Sequence, residues 1–254
     1  MSDVSFRRVR ELVDDQVPVA VATVISGDGL GTRMIVLFDR VEGTLGDPEL
    51  DAAVVDDARA ALDAETSVTR QYGEREVFLD VYPLPPKLIL FGAVHVSQAL
   101  ARFARTLGFR VTVVDARRAL ATKERFPDVE RIVLKWPNDA YDELEIGRNT
   151  WIAILTHDPK FDEPAIMGAL KTPARYVGAI GSRKVNAERR EWMREAGVSE
   201  EDIARLRGPI GLDLGGQTPE EIAISILAEM IAVRNQRSGG FLVSTSGNIR
   251  GVPA

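Results

Sequence analysis

Beyond Pro83-Leu84-Pro85-Pro86 the chain alternates short apolar runs with helical patterns, and this alternation limits the available folds more than any other feature. Runs at 87–91, 110–114, 131–134, 152–156 and 176–180 are four or five residues long and mostly apolar, as strands buried on both faces are. Helical stretches separate most of them, and the one at 96–107 is closed by Gly108, where a helix end calls for positive φ. Repeated strand–helix–strand units imply a parallel sheet with helices on both sides. The proline-rich segment is stiff, cannot lie inside a sheet, and marks a boundary. Before it, runs at 17–25, 33–38 and 75–82 read as strands, and Leu50, Val54, Ala58 and Leu62 recur at helical spacing. The expected architecture is α/β: a smaller α/β domain at 1–84, a Rossmann-like doubly wound parallel sheet at 85–236, and a Ser/Gly-rich tail at 237–254.

Composition removes several function classes. With 38 acidic against 32 basic residues the net charge is -6, the wrong sign for general attraction to nucleic acid or an anionic membrane surface. The absence of cysteine excludes disulfides, thiolate metal sites, a cysteine nucleophile and a persulfide carried on this chain. No apolar run approaches the ~18 residues of a membrane span and no leader pattern opens the sequence, so the expected compartment is the cytoplasm.

Ligand chemistry concentrates in the loops after the strands, the edge where open α/β sheets bind their ligands. The loop FGAVHVSQ (91–98) keeps Gly92 of a dinucleotide-type turn but carries Val94 and Ser97 where two further glycines would stand. Asp115 ends the next strand, where an acidic residue accepts ribose hydroxyls in NAD-binding folds. Both histidines, His95 and His157, fall just past strand ends, and Asp158 follows the second. In YVGAIGSRK (176–184) a glycine turn at Gly181 leads to Ser182, Arg183 and Lys184 at a helix start, where backbone N–H groups, a hydroxyl and two cations make an anion cradle. The alternative is a capped helix with solvated cations. In GPIGLDLGGQTPEE (208–221) the glycines, Gly211 among them, permit close backbone approach, Asp213 offers a carboxylate, and Glu220 and Glu221 disfavour phosphate at that helix start. The helix that follows places Glu221, Ser225 and Glu229 on one polar stripe among Ile222, Ile224, Ile226, Leu227, Met230, Ile231 and Val233, which implies a mostly buried helix. No protein-bound metal is expected from these side chains.

These segments in this order, FGAVHVSQALARFARTLGFRVTVVDAR, ILTHD, YVGAIGSRK and GPIGLDLGGQTPEEIAISILAEMIA, resemble the Rossmann-like half of XdhC/CoxI family proteins. GDGLGTRMIVLFDRVEGTLGDPELDAAV upstream is similar to a shortened form of the family's N-terminal domain. The resemblance implies a chaperone for the molybdenum cofactor (molybdopterin), one that holds the pyranopterin during sulfuration by a partner cysteine desulfurase and during transfer to a molybdenum hydroxylase apoenzyme such as xanthine dehydrogenase. It also implies a homodimer and no catalytic residue. Val94 departs from the family's usual GAGHV loop. Two other readings stay open: an NAD-dependent oxidoreductase using Asp115 with His95 or His157, and a ligand-free scaffold of the same fold.

Overall fold

The computed structural model of the chain describes residues 6–246 and 249. It divides into two compact units, Met1–Leu84 and Pro85–Ala254. The first contains α1 (Phe6–Asp14), β1 (Val19–Ser26), β2 (Arg33–Val36), β3 (Val41–Gly43), α2 (Pro48–Ala64), β4 (Val68–Tyr72) and β5 (Arg75–Tyr82). Its strands form an antiparallel sheet in the order β3-β2-β1-β5-β4. β1 and β5 alternate their apolar residues between two sides: Ala20, Ala22, Val24, Val77 and Leu79 pack with Leu50, Val54, Ala58 and Leu62 of α2, while Val19 and Val21 pack with Val9 and Leu12 of α1. Helix α2 begins at Asp47, whose side chain accepts from the Glu49 and Leu50 amides, with Pro48 at its first position.

Three elements of this unit lack a sequence signal. α1, FRRVRELVD, buries only Val9 and Leu12; β3 is three residues long; and β4, VTRQY, has no buried residue. Periodicity reports burial, and these elements have little of it.

The second unit holds β6 (Lys87–Phe91), α3 (His95–Thr106), β7 (Arg110–Val114), β8 (Arg131–Val133), α4 (Pro137–Ala140), β9 (Thr150–Ile154), α5 (Pro159–Leu170), β10 (Tyr176–Ala179), α6 (Arg183–Glu195), α7 (Glu200–Arg205), β11 (Leu206–Arg207) and α8 (Pro219–Arg234). Every strand pair is parallel and the order is β11-β10-β9-β6-β7-β8, so the direction of winding reverses between β6 and β9. Both faces are covered. Leu88, Leu90, Val111, Val113, Trp151 and Ala153 pack with residues of α3 and α8, and Ile89, Phe91, Val114, Ile152 and Ile154 pack with residues of α5.

The fourth strand of this sheet begins at Thr150 rather than at 152, because the fully buried Trp151 belongs to the ladder and pairs with Leu88 and Tyr176. Helix α8 is largely buried, but two members of its polar stripe face inward: Ser225 and Glu229 are each 9% exposed, whereas Glu221 at the helix start is exposed and Ile224 is 50% exposed. What draws the stripe inward is the glycine-rich loop beneath it.

Candidate functional site

Parallel strands bring the loops after β6, β7, β9, β10 and β11 to one edge of the sheet. All eleven residues singled out in the sequence lie at this edge, distributed among three places.

The first place is the turn after β6. Gly92 has φ +107, and a Cβ there would lie 2.3 Å from Thr156 Cγ2 and 3.4 Å from the Thr156 amide nitrogen, so glycine is required by conformation and by space. Val94 is different. Its backbone is extended, with φ -96 and ψ 176, and its side chain packs against the α3–α8 cluster, so a branched residue fits at this position of the turn. Ser97 is fully buried and its hydroxyl donates to Gly92 O, which ties the turn to α3. His95 is exposed at the first position of α3.

Asp115 is not placed to receive a ribose. It is fully buried, and its carboxylate accepts from Ala93 N (2.7 Å), Arg117 N (2.9 Å), Arg117 Nε (2.9 Å) and Arg117 Nη2 (2.7 Å). Burial alone would raise this carboxyl, but the Arg117 guanidinium and the two amides outweigh it and hold the group below the usual aspartate range. The acceptor capacity that an NAD site would use is spent on fixing the turn. Arg117 is the partner that does this.

The second place is a cleft of about 620 Å³ between the start of α6 and the glycine-rich loop. Ser182, Arg183, Lys184, Gly211 and Asp213 all line it, together with Leu212, Leu214, Gly215, Gly216 and the apolar residues Pro209, Ile210 and Ile222. Gly181 has φ +138 and turns the chain out of β10 into the cap, where the Ser182 hydroxyl accepts from Val185 N at 3.2 Å. The amides of Arg183 and Lys184, in the first turn of a helix, have no partner within it. The cations above them are open to solvent: the Arg183–Asp213 pair spans 3.8 Å with both side chains 89% exposed, and Lys184 lies 3.8 Å from Glu188 with 86% exposure. Such loose exposed pairs contribute little, so giving them up costs either cation little.

The polar stripe of α8 holds the other wall. Glu229 Oε2 accepts from Gly211 N (2.7 Å) and from the Tyr176 hydroxyl (2.6 Å), and Arg207 approaches Oε1 at 3.4 Å. Burial first, and then the Glu229 charge, push the Tyr176 hydroxyl well above its ordinary pKa, so it stays a donor. One turn earlier, Leu212 N donates to Ser225 O at 3.1 Å and the Ser225 hydroxyl donates to Leu212 O. One turn before that, the Glu221 carboxylate accepts from Gln217 N (2.8 Å) and Thr218 N (3.0 Å), closing a capping box with Thr218. Three residues four apart thus clamp both ends of one loop. A Cβ on Gly211, whose φ is +104, would meet the Ser225 hydroxyl at 2.5 Å, which is why the clamp needs glycine there.

The third place contains His157, which is exposed and lines a separate cleft with Asp162 and Arg189. Asp158 caps α5 through Lys160 N at 3.1 Å. Asp162 is turned inward, accepting from the Thr156 hydroxyl and from Arg189 Nη2 (2.9 Å), while Arg189 also donates to Ile180 O (3.0 Å) and Asn186 Oδ1 (2.8 Å). Burial raises the Asp162 carboxyl against the pull of Thr156 and Arg189, and burial lowers Arg189, as befits an ion pair taken out of water. His157, Asp158 and Asp162 therefore point to three different tasks; among the described residues no group of three or more acidic or histidine side chains is arranged to hold a metal ion.

Comparison with known proteins bears on this edge. Residues 88–230 match the model described as the XdhC Rossmann domain, and residues 12–73 match the XdhC and CoxI family. The chain belongs to the XdhC/CoxI family. Among curated relatives in this family, it is 31% identical to "Uncharacterized protein YqeB" of Escherichia coli (strain K12) across 95% of this chain and 48% of that one. It is 30% identical to a protein of Bacillus subtilis (strain 168) named as a probable xanthine dehydrogenase subunit, over 59% of this chain and 44% of the relative. It is 26% identical to "Molybdenum cofactor insertion chaperone PaoD" of Escherichia coli (strain K12), over 58% and 40%. The chain spans less than half the length of each of these relatives. A crystal structure of a xanthine dehydrogenase from Bacillus halodurans superposes with a TM-score of 0.55 at 20% identity, covering 96% of this chain and 98% of that one, which shows a shared fold. Among the described residues no helix is long and apolar enough to cross a membrane.

Proposed function

We propose that this protein is an accessory factor that holds the molybdenum cofactor for a molybdenum hydroxylase of the xanthine dehydrogenase kind. The observation that carries the reading is the cleft between α6 and the glycine-rich loop, where five of the residues marked in the sequence converge. Its donor set suits a ligand with an anionic end and a polar ring: two exposed cations, first-turn amides, and a loop of glycine backbone held against α8 at Gly211. Ser182, Arg183 and Lys184 would hold the phosphate or pyrophosphate, while the backbone from Gly211 to Gly216, with Asp213, would meet polar hydrogen-bonding groups next to it. The bound group supplies the molybdenum chemistry; this chain's part is to bind it and shield it. The names of the relatives from Bacillus subtilis and Escherichia coli favour the same role.

Because the sequence has no cysteine, the sulfur for the cofactor comes from a partner desulfurase and is never carried on a thiol of this chain. Assembly as a homodimer in the cytoplasm completes the reading. An NAD-dependent oxidoreductase finds no support, since Asp115 is occupied by Ala93 and Arg117.

The test is purification from a molybdenum-replete host followed by oxidation and pterin fluorescence. The expected result is a pterin signal that falls by about tenfold or more in an Arg183→Ala/Lys184→Ala variant, as the loss of charge-assisted contacts implies. A protein without pterin whose melting temperature rises with NAD would reverse the assignment.

A further inference from the structure

The cleft around His157, about 320 Å³, has no part in the phosphate-binding arrangement. Its floor is the Asp162–Arg189 pair, whose charges cancel and whose atoms are held by Thr156, Ile180 and Asn186. Its apolar walls are Pro159, Val185 and the Trp192 indole, and Val185 is 41% exposed although aliphatic. Glu163 stands half-buried in the wall; among the described residues it accepts no hydrogen bond and feels the field of Arg189. Glu188, at the rim, lies 3.8 Å from the exposed Lys184.

This combination selects a ligand class. With the floor neutral and Glu188 beside Lys184, the charge left over in the wall is that of Glu163, so a phosphate is disfavoured there and N–H donors are attracted. A carboxylate that loses water without gaining partners is costly, and its two oxygens match two adjacent N–H groups on one edge of a flat ring. Indole and proline surfaces favour a planar face over a flexible chain. A volume near 320 Å³ is at the small end of ligand pockets, enough for a bicyclic ring.

We propose that this cleft binds the 2-amino-4-oxopyrimidine edge of a planar heterocycle, the edge shared by pterins and guanines, with Glu163 accepting the ring N–H and the exocyclic amine. It rests on the cofactor-holder reading in one respect, that a single ligand bridges both clefts. Helix α6 makes the bridge short: Ser182, Arg183 and Lys184 face one cleft and Val185, Glu188 and Trp192 the other.

Calorimetric titration of the full chain with three separate probes, pterin, guanosine and inorganic pyrophosphate, tests it. The expected result is that pterin or guanosine binds saturably, that Glu163→Gln weakens this binding by about tenfold or more, and that Arg183→Ala leaves it within about twofold while weakening pyrophosphate. Binding of pterin alone assigns the cleft to the pterin end, and binding of guanosine alone to a nucleoside end; either outcome supports the shared edge. Glu163→Gln is accepted as folded when its urea midpoint equals the wild type's, and quenching of wild-type Trp fluorescence by pterin, diminished in Trp192→Phe, gives a second readout. Failure of both heterocycles to bind, or equal binding by a folded Glu163→Gln, overturns the proposal. Pyrophosphate binding that depends on Arg183 would survive that failure and leave the anion cleft standing.

Discussion

Replacing Gly92 with alanine tests why the turn after β6 tolerates Val94 but retains its first glycine. Two costs separate cleanly. At φ +107 an L-residue loses about 1–2 kcal/mol through its own backbone. The new Cβ would also lie 2.3 Å from Thr156 Cγ2, inside a wall where Thr156 is 3% exposed, and overpacking of this kind costs about 1–3 kcal/mol. Gly92→Ala alone should therefore lower stability by about 2–5 kcal/mol. Thr156→Ser removes the offending methyl but keeps the hydroxyl that donates to Asp162, at a cost of about 1 kcal/mol. In that background Gly92→Ala should cost only the backbone share, about 1–2 kcal/mol, leaving a coupling of about 1–3 kcal/mol between the two positions. Urea unfolding followed by Trp fluorescence is the assay, because Trp136, Trp151 and Trp192 all belong to the second unit and none to the first. Equal costs in the two backgrounds would refute the contact, and a cost under about 1 kcal/mol would refute the backbone strain as well.

Two further outcomes follow from buried hydrogen bonds at the same edge. Glu229→Ala leaves the Tyr176 hydroxyl and the Gly211 amide without their acceptor, and should cost about 2–4 kcal/mol in urea unfolding. The same variant should weaken pyrophosphate binding through the unclamped loop, whereas Glu229→Gln, which keeps an oxygen for both donors, should restore most of each. Asp115 carries a pH signature: its folded-state pKa is depressed, so its stabilising contribution is present above the ordinary aspartate pKa and disappears as pH falls through the folded value. Acid unfolding of the second unit, followed by Trp fluorescence, should be steeper below about pH 4 in the wild type than in Asp115→Asn, and parallel curves would contradict the role given to Arg117.

Five of the six strands of the second unit were legible because each announces itself within a few residues, whereas β11, two residues long, carries no pattern of its own. KLILF, RVTVV and YVGA are apolar enough to be buried on both faces, and Gly108, Ser199 and Thr218 mark helix ends by local chemistry. The GSRK turn and the glycine-rich loop were likewise visible as candidates. Asp115 was legible as a residue at the binding edge, but its inward orientation was not, since that depends on Ala93, twenty-two residues away, and on how Arg117 folds back. The Asp162–Arg189 pair escaped detection for the same reason: twenty-seven residues separate them, and neither has a neighbour in sequence that betrays burial.

What the sequence determined alone was the α/β class, the parallel sheet, the family, and the edge at which loops of chemical interest gather, because strand burial, caps and turns are encoded in short windows. Tertiary structure decided which of those loops share a cleft and which carboxylates remain for a ligand. Glu221, Ser225 and Glu229 show the difference. Their spacing is plain in the sequence, and the exposed Glu221 caps the helix locally, yet only packing against Tyr176 and the loop from Gly211 turns Ser225 and Glu229 inward, because buried polar groups must find partners and theirs come from distant segments.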